Sequence, residues 1–164
     1  FPMRIALGYC KVAAAGATPV TATQGVSNSM GIMICEYTGA HATAPADGSN
    51  SSQVDGSNHV PNAGDIVTSD SGVTIAFSNY YSAHPIVAGT GYTNQQTFTI
   101  GTGNIAVQDQ IWSGAGTRST SWGAGDMSYS VNIAAAFKEA AAGGGDALPV
   151  IYSFQQAVAR AANY

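Results

Sequence analysis

Large apolar side chains recur at alternate positions along most of this chain. Phe1, Met3, Ile5, Leu7 and Tyr9 are separated by Pro2, Arg4, Ala6 and Gly8. Successive side chains of a strand point to opposite sides, so these five share one face; wound as a helix they would scatter. The same alternation returns in Val73, Ile75 and Phe77, and again in Tyr129, Val131, Ile133, Ala135 and Phe137. A last run, Leu148, Val150, Tyr152, Phe154, Gln156 and Val158, follows the turn Gly143-Gly144-Gly145-Asp146. Residues 31–37 (GIMICEY) are apolar on both faces, as expected of a strand buried on both sides. Residues 97–100 and 105–111 are further short strands with a Gly-rich turn between them. Residues 134–142 have helical propensity, but Tyr-x-Val-x-Ile leads into them and three glycines leave them, so strand is expected to continue to about Glu139.

The segments between are small and polar. Residues 13–31 read as a connector and residues 113–125 as a Gly/Ser/Thr-rich loop with Trp112 and Trp122 near its ends. Residues 39–65 read as a long surface loop carrying a repeat, Asp47-Gly48-Ser49-Asn50 and Asp55-Gly56-Ser57-Asn58; Asp-Gly is tight-turn chemistry. Many short strands with Gly-rich turns and no repeated helical pattern predict an all-β chain, a single β-sandwich of jelly-roll type. Its expected organisation is an alternating N-terminal strand over residues 1–12 and a sandwich domain over residues 13–164.

Composition narrows the function. The chain has 164 residues, 45% of them hydrophobic, enough to bury one core. Only 9% are charged, so the polar surface is Ser, Thr, Asn, Gln and Gly, with little repulsion to keep copies apart. A net charge of −4 with scattered basic residues gives no footprint for nucleic acid or an anionic membrane. No apolar run is long enough to span a bilayer, so no membrane insertion is expected. The chain begins at Phe1, which fits a mature form freed of a leader and equally a truncated chain. Cys10 and Cys35, in an exported protein, are expected to form one disulfide, and closing about 25 residues stabilises a fold by roughly 3–3.5 kcal/mol.

Catalytic and metal chemistry are not signalled. His41, His59 and His84 sit in turn-like contexts, and there is no HxH, HExxH, CxxC or GxSxG. Asp47, Asp55, Asp65, Asp70, Asp109, Asp126 and Asp146 sit mostly in turns, where Asp is favoured for backbone reasons, and show no calcium-loop spacing. No enzyme, no cofactor and no metal ligand is assigned. Asn50-Ser51-Ser52 is a glycosylation sequon, making Asn50 a candidate for a glycan.

What remains is the first segment. The five large side chains of residues 1–9 must be buried, either in their own sandwich or in the groove of a neighbouring subunit by β-strand addition. At roughly 1.5–3 kcal/mol per buried side chain, five give a gross stabilisation of about 7–15 kcal/mol before ordering costs. The alternating run starts at the first residue and is followed by a small-residue stretch able to cross between subunits, which favours a donor strand. Phe137-Lys138-Glu139-Ala140 followed by residues 146–155 (DALPVIYSFQ) resembles the closing strands of archaeal cannula proteins, and more distantly TasA-type biofilm fibre and bundling-pilus subunits. The resemblance covers roughly residues 128–158. It implies an exported jelly-roll subunit that polymerises by N-terminal strand donation, with calcium at subunit contacts; no calcium ligand is carried over. This chain departs from those families in its low charge, its two cysteines and its Gly/Ser-rich middle.

The expected function is therefore a structural subunit of an extracellular, cell-surface filament, a polymer of itself. A second reading is a secreted sugar-binding or adhesive module, supported by Tyr80, Tyr81, Tyr92, Trp112 and Trp122 in or beside loops, since aromatic faces stack on sugars. A third is a viral coat jelly roll, which lacks a basic interior arm here.

Overall fold

A computed structural model describes residues 4–9, 11–12, 21, 23, 31–35, 37, 39–41, 43–81, 86–100, 103–123, 127–140 and 151–152. All of its regular structure is strand. In chain order these are β1 (Lys11–Val12), β2 (Ala46–His59), β3 (Ile66–Thr68), β4 (Gly72–Tyr81), β5 (Thr93–Ile100), β6 (Gly103–Trp112), β7 (Gly116–Arg118), β8 (Met127–Lys138) and β9 (Ile151–Tyr152). One antiparallel sheet of five strands, in the order β2-β8-β4-β6-β5, dominates, and β3-β7 and β1-β9 form two small pairs. The all-β class follows from the alternation; the main body is this one large sheet with shorter segments laid on both sides.

The two faces of the sheet are built differently. Strand register places Val73, Ile75 and Phe77 beside Phe137, Ala135 and Ile133 on one side, with Val107 and Ile105 continuing the same surface. This apolar face is packed by Ile5, Leu7, Met33, Cys35 and Tyr37. The opposite face carries Ala76, Ser78, Ala106, Gln108, Ser130, Asn132, Ala134 and Ala136, every one of them essentially without solvent exposure. Small side chains there let β3 and the loop residues around Ala63 and Thr120 approach closely. Gly72 shows how tight the sheet is, since a Cβ at that position would stand 1.9 Å from the Phe137 carbonyl oxygen.

Alternation located the strands well wherever one face is large and apolar. β4, β6 and β8 fall where it placed them, β5 begins at Thr93, four residues before the expected 97–100, and β8 runs to Lys138 with a bridge from Ala40 to Glu139, as strand rather than helix. Of the closing run 148–158 only Ile151 and Tyr152 are described, paired as β9 with β1.

Three expectations are corrected. First, residues 39–65 are not a loop but contain β2, the longest strand, of 14 residues. The Asp-Gly repeats make bulges instead of turns, because the register with β8 shifts between Ala46 and Gly48 and again between Asp55 and His59. Gly56 (φ 140°) and Asn58 (φ 63°) supply the left-handed backbone that the second bulge needs. β2 is a strand because its backbone pairs with the apolar β8, not because of its own side chains, most of which are exposed. Second, residues 31–35 belong to no strand, and their apolar side chains are not buried on both sides: Met33 is 4% exposed and Ile34 54%. They lie over the sheet as a strap with one face inward. Third, β7 lies within residues 113–125, read as loop, and pairs with β3, at residues to which no element was assigned; among the described residues each pairs with the other alone.

Candidate functional site

The apolar face of the sheet is where the sequence-derived site residues meet. Residues 4–9 are described and lie outside every strand and bridge. Their alternation is nonetheless realised: Ile5 and Leu7 are half-buried against the core cluster, while Arg4, Ala6 and Gly8 are exposed. Tyr9 places its ring edge-on to Phe137 with centroids 5.2 Å apart and remains 49% exposed. Leu7 and Tyr9 border an open groove of about 430 Å³ whose other wall is Ala46 and Asp47 of β2 with Ile133 and Phe137 of β8. Phe1 and Met3, the remaining expected donor positions, lie outside the described residues. A second hollow of about 180 Å³ on the other side of Phe137 is bordered by Tyr37, Ala40, Gly72, Val73 and Ile111. Ile111, in the sheet beside Val73, is 82% exposed.

One carboxylate interrupts this apolar surface. Asp109 stands opposite Ile75 on β6, and the Tyr37 hydroxyl donates to its Oδ2 at 2.6 Å. That short, charge-assisted bond ties Tyr37, just after the strap of residues 31–35, to the sheet. Burial, and next the bond to Asp109, push the Tyr37 hydroxyl far above its ordinary value. Burial first, and then the Asp109 charge, push the Cys35 thiol up to about 11. Cys35 carries a free thiol. The expected Cys10–Cys35 disulfide is therefore not formed in this structure; Cys10 lies outside the described residues, and Cys35 is half-buried within the strap, near Tyr37.

On the opposite face the buried polar groups form a connected network that alternation alone did not reveal. Ser78 Oγ donates to Asn132 Oδ1 at 2.8 Å, and Asn132 Nδ2 donates to Ser130 Oγ at 3.0 Å and Ser52 Oγ at 3.1 Å. Ser52 in turn donates to the Asn62 carbonyl. His59 Nδ1 is 2.9 Å from the Gly56 carbonyl, which only accepts, so that nitrogen carries the proton and Nε2 accepts from Ser130 Oγ at 2.9 Å. A serine paired with a histidine in this tautomer has the composition of an activated nucleophile. Here Ser130 is fully buried and hydrogen-bonded on both sides, so the pair closes the bulge of β2 onto β8 instead of facing a substrate. The sequence signal for this network was Ser130 and Asn132 alternating with Val131 and Ile133, a pattern that reads as a solvent face.

The other candidates have local structural roles. Asp47, within the first bulge, accepts from Ser69 N–H and Ser69 Oγ, each at 2.7 Å, and pairs with Lys138 Nζ at 3.3 Å. Burial pushes its carboxyl up, but the Ser69 bonds and the Lys138 charge outweigh it and hold the group below its ordinary value. Asp70 Oδ1 accepts from Ser71 N–H at 2.8 Å, and its carbonyl accepts from Trp112 Nε1 at 2.7 Å. His41 Nδ1 accepts from the Ala44 N–H at 3.2 Å; His84, Asp126 and Asp146 lie outside the described residues. Asn50 is exposed on β2, but its Nδ2, the atom a glycan would use, donates to the Asp65 carbonyl at 3.1 Å. Among the described residues no three of His, Cys, Asp and Glu group to hold a metal ion, and no helix is long and apolar enough to cross a membrane. Of the aromatic residues offered as a sugar platform, Tyr80, Trp112 and Trp122 are 1%, 7% and 3% exposed, and Tyr81 and Tyr92 are half-buried. Arg118 lies over the Trp112 ring, 5.2 Å from its centroid.

Comparisons with protein-family models, with curated proteins and with solved structures find no match.

Proposed function

We propose that this chain is a non-catalytic structural subunit of an extracellular, pilus-like or biofilm-matrix filament. In this reading its jelly-roll sandwich is completed by an extended segment with alternating apolar residues, and in the polymer that segment is residues 1–9 of a neighbouring copy. One observation carries the proposal. Residues 4–9 place Ile5 and Leu7 on the apolar face of the five-stranded sheet and yet take part in no β-ladder. A segment that takes part in no β-ladder is exchangeable between copies, because no ladder has to be broken to release it and the groove bordered by Leu7 and Tyr9 stays open. The low charge of the chain supports close packing of copies.

The sugar-binding reading loses the feature that supported it, since its aromatic residues are buried or half-buried. The test is deletion of residues 1–9, followed by circular dichroism and sedimentation. A folded, soluble chain that no longer polymerises supports donation by this segment. Fibres formed without it overturn the proposal, and loss of folding assigns the segment to its own domain.

A further inference from the structure

The tetrapeptide Asp-Gly-Ser-Asn occurs twice in β2, at residues 47–50 and 55–58. An Asp-Gly peptide carries a reaction of its own, because the glycine nitrogen has no Cβ beside it to hinder attack on the aspartate Cγ. Both copies present the same aspartate to the same three following residues, so the fold is what sets them apart.

The fold treats them in opposite ways. The Asp47 side chain is 3% exposed, accepts from Ser69 N–H and Ser69 Oγ at 2.7 Å each, and pairs with Lys138 Nζ at 3.3 Å. Gly48 stands in the ladder opposite Ala136, and a Cβ on it would lie 2.7 Å from Ile66 Cγ2. Asp55 is exposed, and among the described residues no hydrogen bond or ion pair holds its carboxylate. Gly56 is exposed too, falls where the register with β8 is interrupted, and a Cβ on it would meet nothing within 4 Å. Ring closure needs a free carboxyl, room beside the next nitrogen and a backbone that can turn. The second copy offers all three, and the first offers none.

We propose that Asp55 is a site of spontaneous backbone modification: Asp55-Gly56 converts to isoaspartate in the folded chain, while Asp47-Gly48 is protected. The Gly56 nitrogen bonds to Asp55 Cγ, and the displaced carboxyl oxygen leaves as water with the amide proton and one further proton. Water then adds back to the five-membered imide. Opening at the side-chain carbonyl restores Asp55; opening at the main-chain carbonyl routes the chain through Cγ and frees the α-carboxylate. Nothing is oxidised or reduced, and the net charge is unchanged. The main chain gains one carbon, in a stretch already out of ladder register.

Peptide mapping of the full chain, aged at neutral pH and labelled by an isoaspartyl methyltransferase, tests this. Even one charge-assisted hydrogen bond kept at Asp47 slows attack by about tenfold or more, so label should accumulate at Asp55 faster than at Asp47 by at least that factor. In concentrated urea the two sites should react alike. Equal rates in the folded chain, no label at Asp55, or a preference that persists undiminished in urea would each overturn the proposal.

Discussion

Removing the carboxylate of Asp47 should destabilise the fold in a way that pH exposes. Asp47 sits in the first bulge of β2 and gathers three elements: its own strand, Ser69 after β3, and Lys138 at the end of β8. In Asp47→Ala the Ser69 N–H and hydroxyl lose a charged acceptor. Hydrogen bonds to charged groups contribute about 1.5–3 kcal/mol each, and the ion pair with the partly exposed Lys138 about 1. Because Ser69 is exposed and water replaces part of the loss, the expected cost is about 2 kcal/mol. For a chain of this size that lowers the melting temperature by about 4–8 °C at neutral pH. The carboxyl of Asp47 is held below its ordinary value, so its contribution is present above the unfolded-state value near 4 and is lost as pH falls through the lower folded value. Thermal melts of both proteins should therefore differ at neutral pH and converge on acidification below about pH 4. A difference under about 1 °C at neutral pH, or a gap that persists undiminished in acid, would refute the reasoning.

Other parts of the account are as open to test. Cys35, with its thiol pushed up to about 11, should react with iodoacetamide at pH 8 far more slowly than an unhindered cysteine. Asp109→Asn should accelerate that reaction only in part, because burial is the larger cause. Gly72→Ala should cost about 3 kcal/mol or more, seen as a collapsed urea midpoint, because its Cβ would enter the Phe137 carbonyl. Trp112 and Trp122 should emit at the short wavelengths of buried indole, and titration with oligosaccharides should leave that emission unchanged; quenching or a red shift would revive the adhesive reading.

Alternation made the centre of the fold legible because β4, β6 and β8 each keep one large apolar face, and that face needs no tertiary information to recognise. It failed at β2 and residues 31–35, where tertiary context decides. Ser49, Ser51 and Gln53 have no apolar period, and only the pairing of their backbone with Ala135, Ile133 and Val131 makes them strand. Ile34 and Met33 look alike in sequence, yet the strap has one inward face. Local chemistry misled at the Asp-Gly pairs, since the left-handed backbone that makes a turn also makes a bulge. The small polar face of β8 was hidden for a different reason. Ser130, Asn132 and Ala134 look like solvent-facing residues until a second layer covers them, and what marks them as buried is the completed hydrogen-bond network. The apolar face of residues 4–9 was legible from Ile5 and Leu7, whereas their position outside any ladder required the structure.

Electron microscopy of the purified chain, alone and with Ile5→Asp, tests the central claim most directly. Ile5 is packed against the core cluster, and an unpaired charge there is costly to bury. The account predicts long, uniform fibres for the unaltered chain, and folded, dispersed particles for Ile5→Asp. Dispersed single subunits from the unaltered chain at high concentration, or fibres undiminished by Ile5→Asp, would contradict it.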